Sequence, residues 1–214
     1  MAFWIVTAAG LAIAYLLGSI PTGYLAGKLL KGMDIREHGS KSTGATNVLR
    51  TLGPLPAAVV LAVDVMKGAA AVALMHWVTP WAISLLSGIA PQASVPWAVC
   101  LGGLAAILGH GRSVWLNFTG GKSAATGLGV LLAMSWPVGL GAAIVFGATL
   151  AVSRIVSLSS MLAALAAIAL VFGLSQPLPY QLLVIAGAAY VILRHRANIQ
   201  RLLSGTEPRL GAKS

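Results

Sequence analysis

Four runs of this chain contain no Asp, Glu, Lys or Arg: Met1–Gly27, Gly68–Gly111, Ser123–Ser153 and Ile155–Leu193. A helix that crosses the hydrocarbon of a bilayer needs roughly 20 residues at about 1.5 Å each. Runs of this length therefore suit membrane spans and cannot supply a water-facing surface. Only 8% of the residues are charged and 58% are apolar, with mean hydropathy +0.90. A soluble domain carries about 25% charged residues. The pattern excludes a disordered chain, a coiled coil and a nucleic-acid-binding globule, so no nucleic-acid partner is expected. The single cysteine, Cys100, rules out a disulfide framework and reads as an inert packing residue.

Met1–Gly27 holds one span, read as a retained helix because it lacks leading basic residues and a small-residue cleavage site. Gly68–Gly111 is too long for one crossing. Ser87-Gly88, Pro91 and Pro96 divide it between a span over about Pro54–Val78 and another over about Pro96–Gly109. Ser175-Gln176-Pro177-Leu178-Pro179 divides the last run into spans near Val156–Leu174 and Tyr180–Arg194. As a single helix, Ser123–Ser153 would be about 46 Å long against a core of about 30 Å. A turn at Ser135-Trp136-Pro137 makes it a hairpin of two spans instead.

The fold expected is an all-α, seven-transmembrane-helix bundle. Its Lys and Arg residues then fall at one side, in Lys28–Arg50, at Lys67, Arg112, Lys122 and Arg154, and in Arg194–Lys213. The opposite loops, near residues 79–95, 135–139 and 175–179, have none. Cationic loops stay in the cytoplasm, which places the N-terminus outside and the C-terminus inside. Trp4, Trp77, Trp81, Trp97 and Trp136 fall at the outer interface on this reading, and Trp115 at the inner one. No repeat is visible, and Gly23-Tyr-Leu-Ala-Gly27 has the small-xxx-small spacing of close helix packing.

The cationic loops also carry Gly, Ser, Thr and Asn. Gly39-Ser-Lys-Ser-Thr-Gly-Ala-Thr-Asn47 precedes Arg50, and consecutive amides in such a turn can wrap an anion. A helix over Ala45–Thr51 would add its positive end, and Arg50 a bidentate fork. The plainer alternative is a solvated loop with lipid-facing cations. Gly109-His110-Gly-Arg112 leads to Phe118-Thr-Gly-Gly-Lys-Ser123. Position 116 is Leu where a Walker motif needs Gly, which disfavours ATP hydrolysis and leaves an anion-binding turn or a hairpin with a snorkelling Lys. Ser153-Arg154-Ile-Val-Ser157-Leu-Ser159-Ser160 sets four hydroxyls around one Arg, for a ligand or for capping the next helix. Arg194-His195-Arg-Ala-Asn198 closes the last span, with His195 and Asn198 three apart on one helical face. Asp64 and Lys67, i and i+3 inside a span, form an ion pair that contacts substrate or orients the loops. Four such clusters on one membrane face point to a cytoplasmic site for a small phosphorylated ligand beside the lipid.

These residues resemble the bacterial acyl-phosphate:glycerol-3-phosphate acyltransferases, the PlsY family, over nearly the whole chain. The likeness rests on Gly18-Ser-Ile-Pro-Thr-Gly23, Gly44-Ala-Thr-Asn-Val-Leu-Arg50, Asp64-Val-Met-Lys-Gly68, Gly109-His110, Phe118-Thr-Gly-Gly-Lys122 with Ala125-Thr126, Ser157-Leu-Ser-Ser160 and Arg194-His-Arg-Ala-Asn198. The resemblance implies one membrane acyltransferase domain over residues 1–214, in the bacterial inner membrane, with its site on the cytoplasmic side. Its substrates would be glycerol 3-phosphate and fatty acyl phosphate, and its products lysophosphatidic acid and phosphate, in the first step of phospholipid synthesis. Arg50, Lys122, Ser157, His195 and Asn198 would line the phosphate site, with Ser40, Thr46, Asn47 and His110 as further substrate contacts. His195, Lys122 and Arg50 are the expected catalytic residues, and no metal or cofactor is expected. Membrane lipid is the expected surrounding partner, and a monomer the expected state. The family's first loop reads Ser-Gly-Asn where this chain has Ser40-Lys41-Ser42, and Gly follows its Gly-Gly-Lys where this chain has Ser123. The Pro common after the loop His is also missing, with Ser113 in its region.

An acyl phosphate is a mixed anhydride with phosphate as leaving group. Positioning, charge neutralisation and removal of one hydroxyl proton suffice for its reaction. That proton has three candidate acceptors: His110, His195 and a substrate phosphate oxygen. The positions five after each His are Thr43, Trp81, Trp115 and Gln200, so the His-x4-Asp acyltransferase motif is absent. The alternative function is a membrane transporter for phosphate or a phosphorylated solute, which would need polarity through both halves of the membrane or an inverted repeat.

Overall fold

The computed structural model describes residues 2–85 and 94–211. The Ser87-Gly88 and Pro91 breaks and Lys213 lie outside the described residues. The described residues are helical, with one isolated bridge between Ser113 and Thr119. The helices are α1 (Ala2–Ser19), α2 (Thr22–Lys31), α3 (Ala45–Leu52), α4 (Pro54–Leu85), α5 (Val95–Gly111), α6 (Ala124–Met134), α7 (Trp136–Ser153), α8 (Val156–Gly173), α9 (Leu178–Arg194) and α10 (Arg196–Leu203). Single 3-10 turns lie at Ile35–Glu37 and Val114–Leu116.

By length and composition, four stretches can each cross a membrane: Trp4–Lys31, Pro54–Ser84, Trp136–Ser153 and Val156–Gly173. A fifth is available if α9 and α10, bent by 59° at their junction, count together. The apolar helices α5 and α6 are shorter, at 17 and 11 residues. These helices are apolar around their whole circumference, with Val152 89% and Trp77 81% exposed. Lipid, not water, suits such surfaces. All six tryptophans are exposed.

Two boundaries differ from the sequence reading, and the break expected at Ser135-Trp136-Pro137 is present. The first run does not continue smoothly to Gly27. Pro21 has no N–H to donate and disfavours helical geometry at Ile20, so α1 stops at Ser19 and α2 starts at Thr22. Helix α4 runs past Val78 and through Pro80 to Leu85. The proline deprives one carbonyl of its partner without ending the helix. Helix stops at Met134 and restarts at Trp136, with Ser135 extended at φ −153°.

The chain's contacts group into two units, residues 1–134 and 135–214. In the first, α1, α4 and α5 meet at Ala14, Ala71 and Ala106, all fully buried. Backbones approach closely here because glycines face carbonyls. A methyl on Gly18 would collide with the Ala106 carbonyl, and one on Gly129 with the Val65 carbonyl. Small residues let helices associate in lipid, where there is little hydrophobic drive between them. Gly23 serves another neighbour, since its Cβ would meet the Thr43 carbonyl of the polar loop. That loop is pinned to α4 by Ile35, Val48, Ala57 and Val60. In the second unit α8 packs against both α7 and α9, around buried Val138, Ala142, Ala167, Val171, Leu183 and Val191.

Two of the three departures from the resembled family fall on left-handed backbone, Lys41 at φ 55° and Ser123 at φ 62°. A side chain there costs roughly 1–2 kcal/mol that glycine avoids. Ser123 Oγ recovers part of this by donating to the Ile107 carbonyl at 2.8 Å, worth about 1 kcal/mol. Lys41→Gly should therefore raise the thermal midpoint in detergent, whereas Ser123→Gly should leave it nearly unchanged. Gly129→Val should cost about 1–3 kcal/mol or more through overpacking. Gly127→Ala, whose Cβ would meet nothing within 4 Å, should be neutral in the same measurement.

Candidate active site

Asn47 organises the first polar loop. Its Nδ2 donates to the carbonyls of Ile35 at 2.9 Å, His38 at 3.1 Å and Ser42 at 2.9 Å. Its Oδ1 accepts the Ser40 amide at 2.8 Å. The residue is 1% exposed. Gly39, at φ 55°, lies so close that a Cβ would strike Asn47 Oδ1. Asn47, expected among the substrate contacts, thus has its amide committed to the loop, and the Ser40 N–H is committed with it. Ser40 and Thr46 are half-buried and Arg50 is exposed on α3.

Arg36, which the sequence reading left aside, joins this loop to the next. It forks onto Asp34, with Nη2 at 2.6 Å and Nε at 3.0 Å, and stacks 5.1 Å from the Tyr24 ring centroid. Its Nη1 reaches Thr119 Oγ1 at 3.3 Å, beside Gly120-Gly121-Lys122. Arg36, by its side-chain hydrogen bonds above all, holds the Asp34 carboxyl at about 2 against burial.

Asp64 and Lys67 pair at 2.8 Å inside α4, with side chains 1% and 3% exposed. Asp64 Oδ1 also accepts Thr22 Oγ1 at 2.6 Å and lies 3.6 Å from His110 Nδ1. Lys67 Nζ donates to the Ile20 carbonyl at 3.0 Å. These contacts fasten the α1–α2 elbow to α4. His110 in turn backs the Gly-Gly turn: the Gly121 amide donates to its carbonyl at 3.1 Å. Methyl groups on Gly120 and Gly121 would collide with its carbonyl and its ring Nε2 respectively. Both glycines are therefore required by contact, whatever the turn binds. Lys122 follows, half-buried, and α6 begins at Ala124.

In the second unit three of the four hydroxyls near Arg154 are spent on their own helices. Ser153 donates to Thr149, Ser159 to Ile155 and Ser160 to Val156, at 2.7–2.9 Å. Ser157 instead donates to Glu207 Oε1 at 2.7 Å. The same oxygen accepts Asn198 Nδ2 at 2.6 Å, and Oε2 accepts Arg201 Nε at 2.7 Å. Burial pushes the Glu207 carboxyl up, but these hydrogen bonds and the Arg201 charge outweigh it and hold it below the ordinary glutamate value. The stability this group adds is present above that value and is lost as pH falls through its lower, folded-state value. His195 sits 4% exposed at the α9–α10 bend, with Nδ1 2.7 Å from the Val191 carbonyl. A carbonyl only accepts, so Nδ1 carries the proton and Nε2 is the acceptor of the neutral ring.

Within the first unit the structure brings together Asp64, Lys67 and His110, and ties Asn47 to Ser40. Within the second it brings Ser157 and Asn198 onto one carboxylate. Glu207 was not among the sequence candidates. Its signal was rarity, because the chain has only 4 acidic residues and an acid in an apolar protein needs a partner.

The family profile described as Glycerol-3-phosphate acyltransferase matches residues 8–205. Glycerol-3-phosphate acyltransferase 2 of Rhizobium johnstonii is 74% identical over 216 residues, covering 99% of each chain. The glycerol-3-phosphate acyltransferase of a Nostoc species is 55% identical, covering 100% of this chain and 96% of its own. The crystal structure of PlsY (YgiH), an integral membrane glycerol 3-phosphate acyltransferase, in its glycerol 3-phosphate form superposes with TM-score 0.82 at 37% identity, covering 96% of both chains. Its lysophosphatidic acid form gives TM-score 0.79 at 36% identity, covering 96% of this chain and 95% of its own. The chain is an integral membrane protein of the glycerol-3-phosphate acyltransferase family.

Proposed function

We propose that this chain transfers a fatty acyl group from acyl phosphate to a hydroxyl of glycerol 3-phosphate, releasing lysophosphatidic acid and inorganic phosphate. The observation that carries the reading is the match, over 96% of the chain, to a PlsY structure in its glycerol 3-phosphate form. The chemistry of the loops supports it. In the step, the acyl C–O bond to phosphate breaks, an ester C–O bond forms, and the hydroxyl proton leaves with the phosphate or passes to a base. The reaction needs anion binding and orientation more than a strong nucleophile.

Arg50 and Lys122 are the cations for the phosphate groups, and Arg50 stands exposed on α3 for such a contact. Asn47 acts by holding Ser40 in the loop before α3, with Thr46 beside it in the first turn of that helix. His110, locked between Asp64 and the Gly-Gly turn, sets the position of Lys122. Ser157, Asn198 and His195 complete the substrate-binding set, and His195 Nε2 is the side-chain candidate for the hydroxyl proton.

Topology follows from the same reading. Helices α1 and α4–α9 make seven crossings, the N-terminus is outside, and the cationic loops face the cytoplasm. The whole chain then works as one acyltransferase domain in the bacterial inner membrane, as a monomer, with membrane lipid around it.

Purified protein given palmitoyl phosphate and glycerol 3-phosphate should yield lysophosphatidic acid and phosphate one for one. Phosphate release without the lipid product, or no product at all, would sink the assignment. Lys122→Ala and Arg50→Ala should each lower kcat/KM for glycerol 3-phosphate about 10- to 100-fold, the size of a lost charge-assisted hydrogen bond. A wild-type value for Lys122→Ala would remove it from the site.

A further inference from the structure

The turn that leads to Lys122 runs through strained backbone. Asn117 and Phe118 are consecutive left-handed residues, at φ 52° and 57°, a conformation that disfavours any side chain. Contacts from α1 and α5 hold the base of this turn. Ser113 Oγ donates to the Ser19 carbonyl at 2.6 Å, Tyr15 Oη to the Arg112 carbonyl at 2.7 Å, and the Gly121 amide to the His110 carbonyl at 3.1 Å. Thr119, the residue before the two glycines, is held from the first polar loop instead. A threonine hydroxyl has one proton. Thr119 spends it on the Leu116 carbonyl at 2.7 Å, so its oxygen can only accept from a further group, and Arg36 Nη1 meets it at 3.3 Å.

Arg36 is itself firmly placed. Asp34 takes its Nε and Nη2 and also accepts its backbone amide at 2.9 Å, while the Tyr24 ring stacks on the guanidinium. The neighbouring Ile35 is fully buried, and its carbonyl accepts Asn47 Nδ2 at 2.9 Å. The guanidinium thus has its fork taken and its charge matched by a carboxylate, which suits it to hold a neighbour rather than to receive a phosphate. All of these residues lie in the first unit.

We propose that Arg36 is a positioning residue: through Thr119 it sets the Gly120-Gly121 turn against the first polar loop and so fixes where Lys122 stands for the substrate's phosphate. The inference rests on the acyl-transfer reading for its substrate and on Lys122 as a phosphate cation. His110 supports the glycines themselves. Arg36 fixes the residue from which the chain enters them, and a lysine at position 36 would bring a point charge without the fork that spans Asp34 and Thr119.

Steady-state acyl transfer by the full-length protein, with palmitoyl phosphate and varied glycerol 3-phosphate, tests this alongside calorimetric binding of glycerol 3-phosphate. Thr119→Val removes the acceptor and leaves Arg36, Asp34 and Tyr24 as they are. It should raise KM for glycerol 3-phosphate about 3- to 10-fold, the size of one hydrogen bond to a charged group, with kcat within about twofold. Thr119→Ser keeps the hydroxyl and should restore the wild-type KM. Arg36→Ala should raise KM at least as much, and adding Thr119→Val to it should change KM no further, because both remove one contact. In a Lys122→Ala background, Thr119→Val should shift KM by less than about twofold, since the group it positions is gone. A KM unchanged by Thr119→Val would overturn the proposal, as would the full 3- to 10-fold rise with Lys122 absent, which is what a general structural loss produces. The Thr119 variants decide the matter even if Arg36→Ala does not fold. Binding of glycerol 3-phosphate without acyl transfer would count against the acyl-transfer reading alone, and the same ratios in Kd would then decide this proposal. A wild-type protein that does not bind glycerol 3-phosphate would overturn both.

Discussion

The ion pair between Asp64 and Lys67 holds together elements that the chain's own backbone cannot hold. Pro21 breaks the first apolar run, and the Ile20 carbonyl at the break accepts the Thr22 amide at 3.0 Å. Lys67 supplies a second donor to it, from α4. Asp64 takes the Thr22 hydroxyl at the start of α2 and lies against His110 near the end of α5. His110 is the surface on which Gly120 and Gly121 rest. One buried pair thus fixes an elbow, a helix end and the turn that carries Lys122. Such a pair gives little net stability against an apolar substitute, but losing one partner strands a buried charge at a cost of about 3–5 kcal/mol. Its value lies in specifying this arrangement over others.

The glycines divide along the same line. In a loop rich in Gly and Lys, the sequence invites an anion-wrapping interpretation for every glycine. At Gly120 and Gly121 the closest demand is steric, from His110, and at Gly39 it comes from Asn47 together with a left-handed backbone. Loop shape is therefore set from below, by buried polar side chains, before any ligand arrives.

The apolar helices, the break at Ser135 and the polar clusters were legible because charge is so sparse that each Lys, Arg or acid marks a place. The α4 pair was legible from i, i+3 spacing alone. Hydrogen-bond direction was not. Nothing in the order of residues says that Asn47 turns inward to three carbonyls, that Arg36 reaches Thr119 across 83 positions, or that three of four serines bond back to their own helix. Glu207 was missed for a related reason. Fifty residues separate it from Ser157, and only the fold-back of the chain brings them together. Helix ends at Pro21 and Pro80 differed because a proline stops a helix in one setting and is absorbed in another.

Among the described residues, three of the four acidic side chains are bound to the chain's own bases, Asp34 to Arg36, Asp64 to Lys67 and Glu207 to Arg201. Glu37 is left against the rest of the fourteen basic residues of the sequence. The molecule is therefore electrically unfinished, and its counter-charge has to come from outside the chain. At a membrane surface that means anionic headgroups and dissolved phosphates competing for the same cations. The lipid around the protein is then part of its charge balance as well as its solvent, and a bilayer richer in anionic lipid would screen the loops from their smaller ligands.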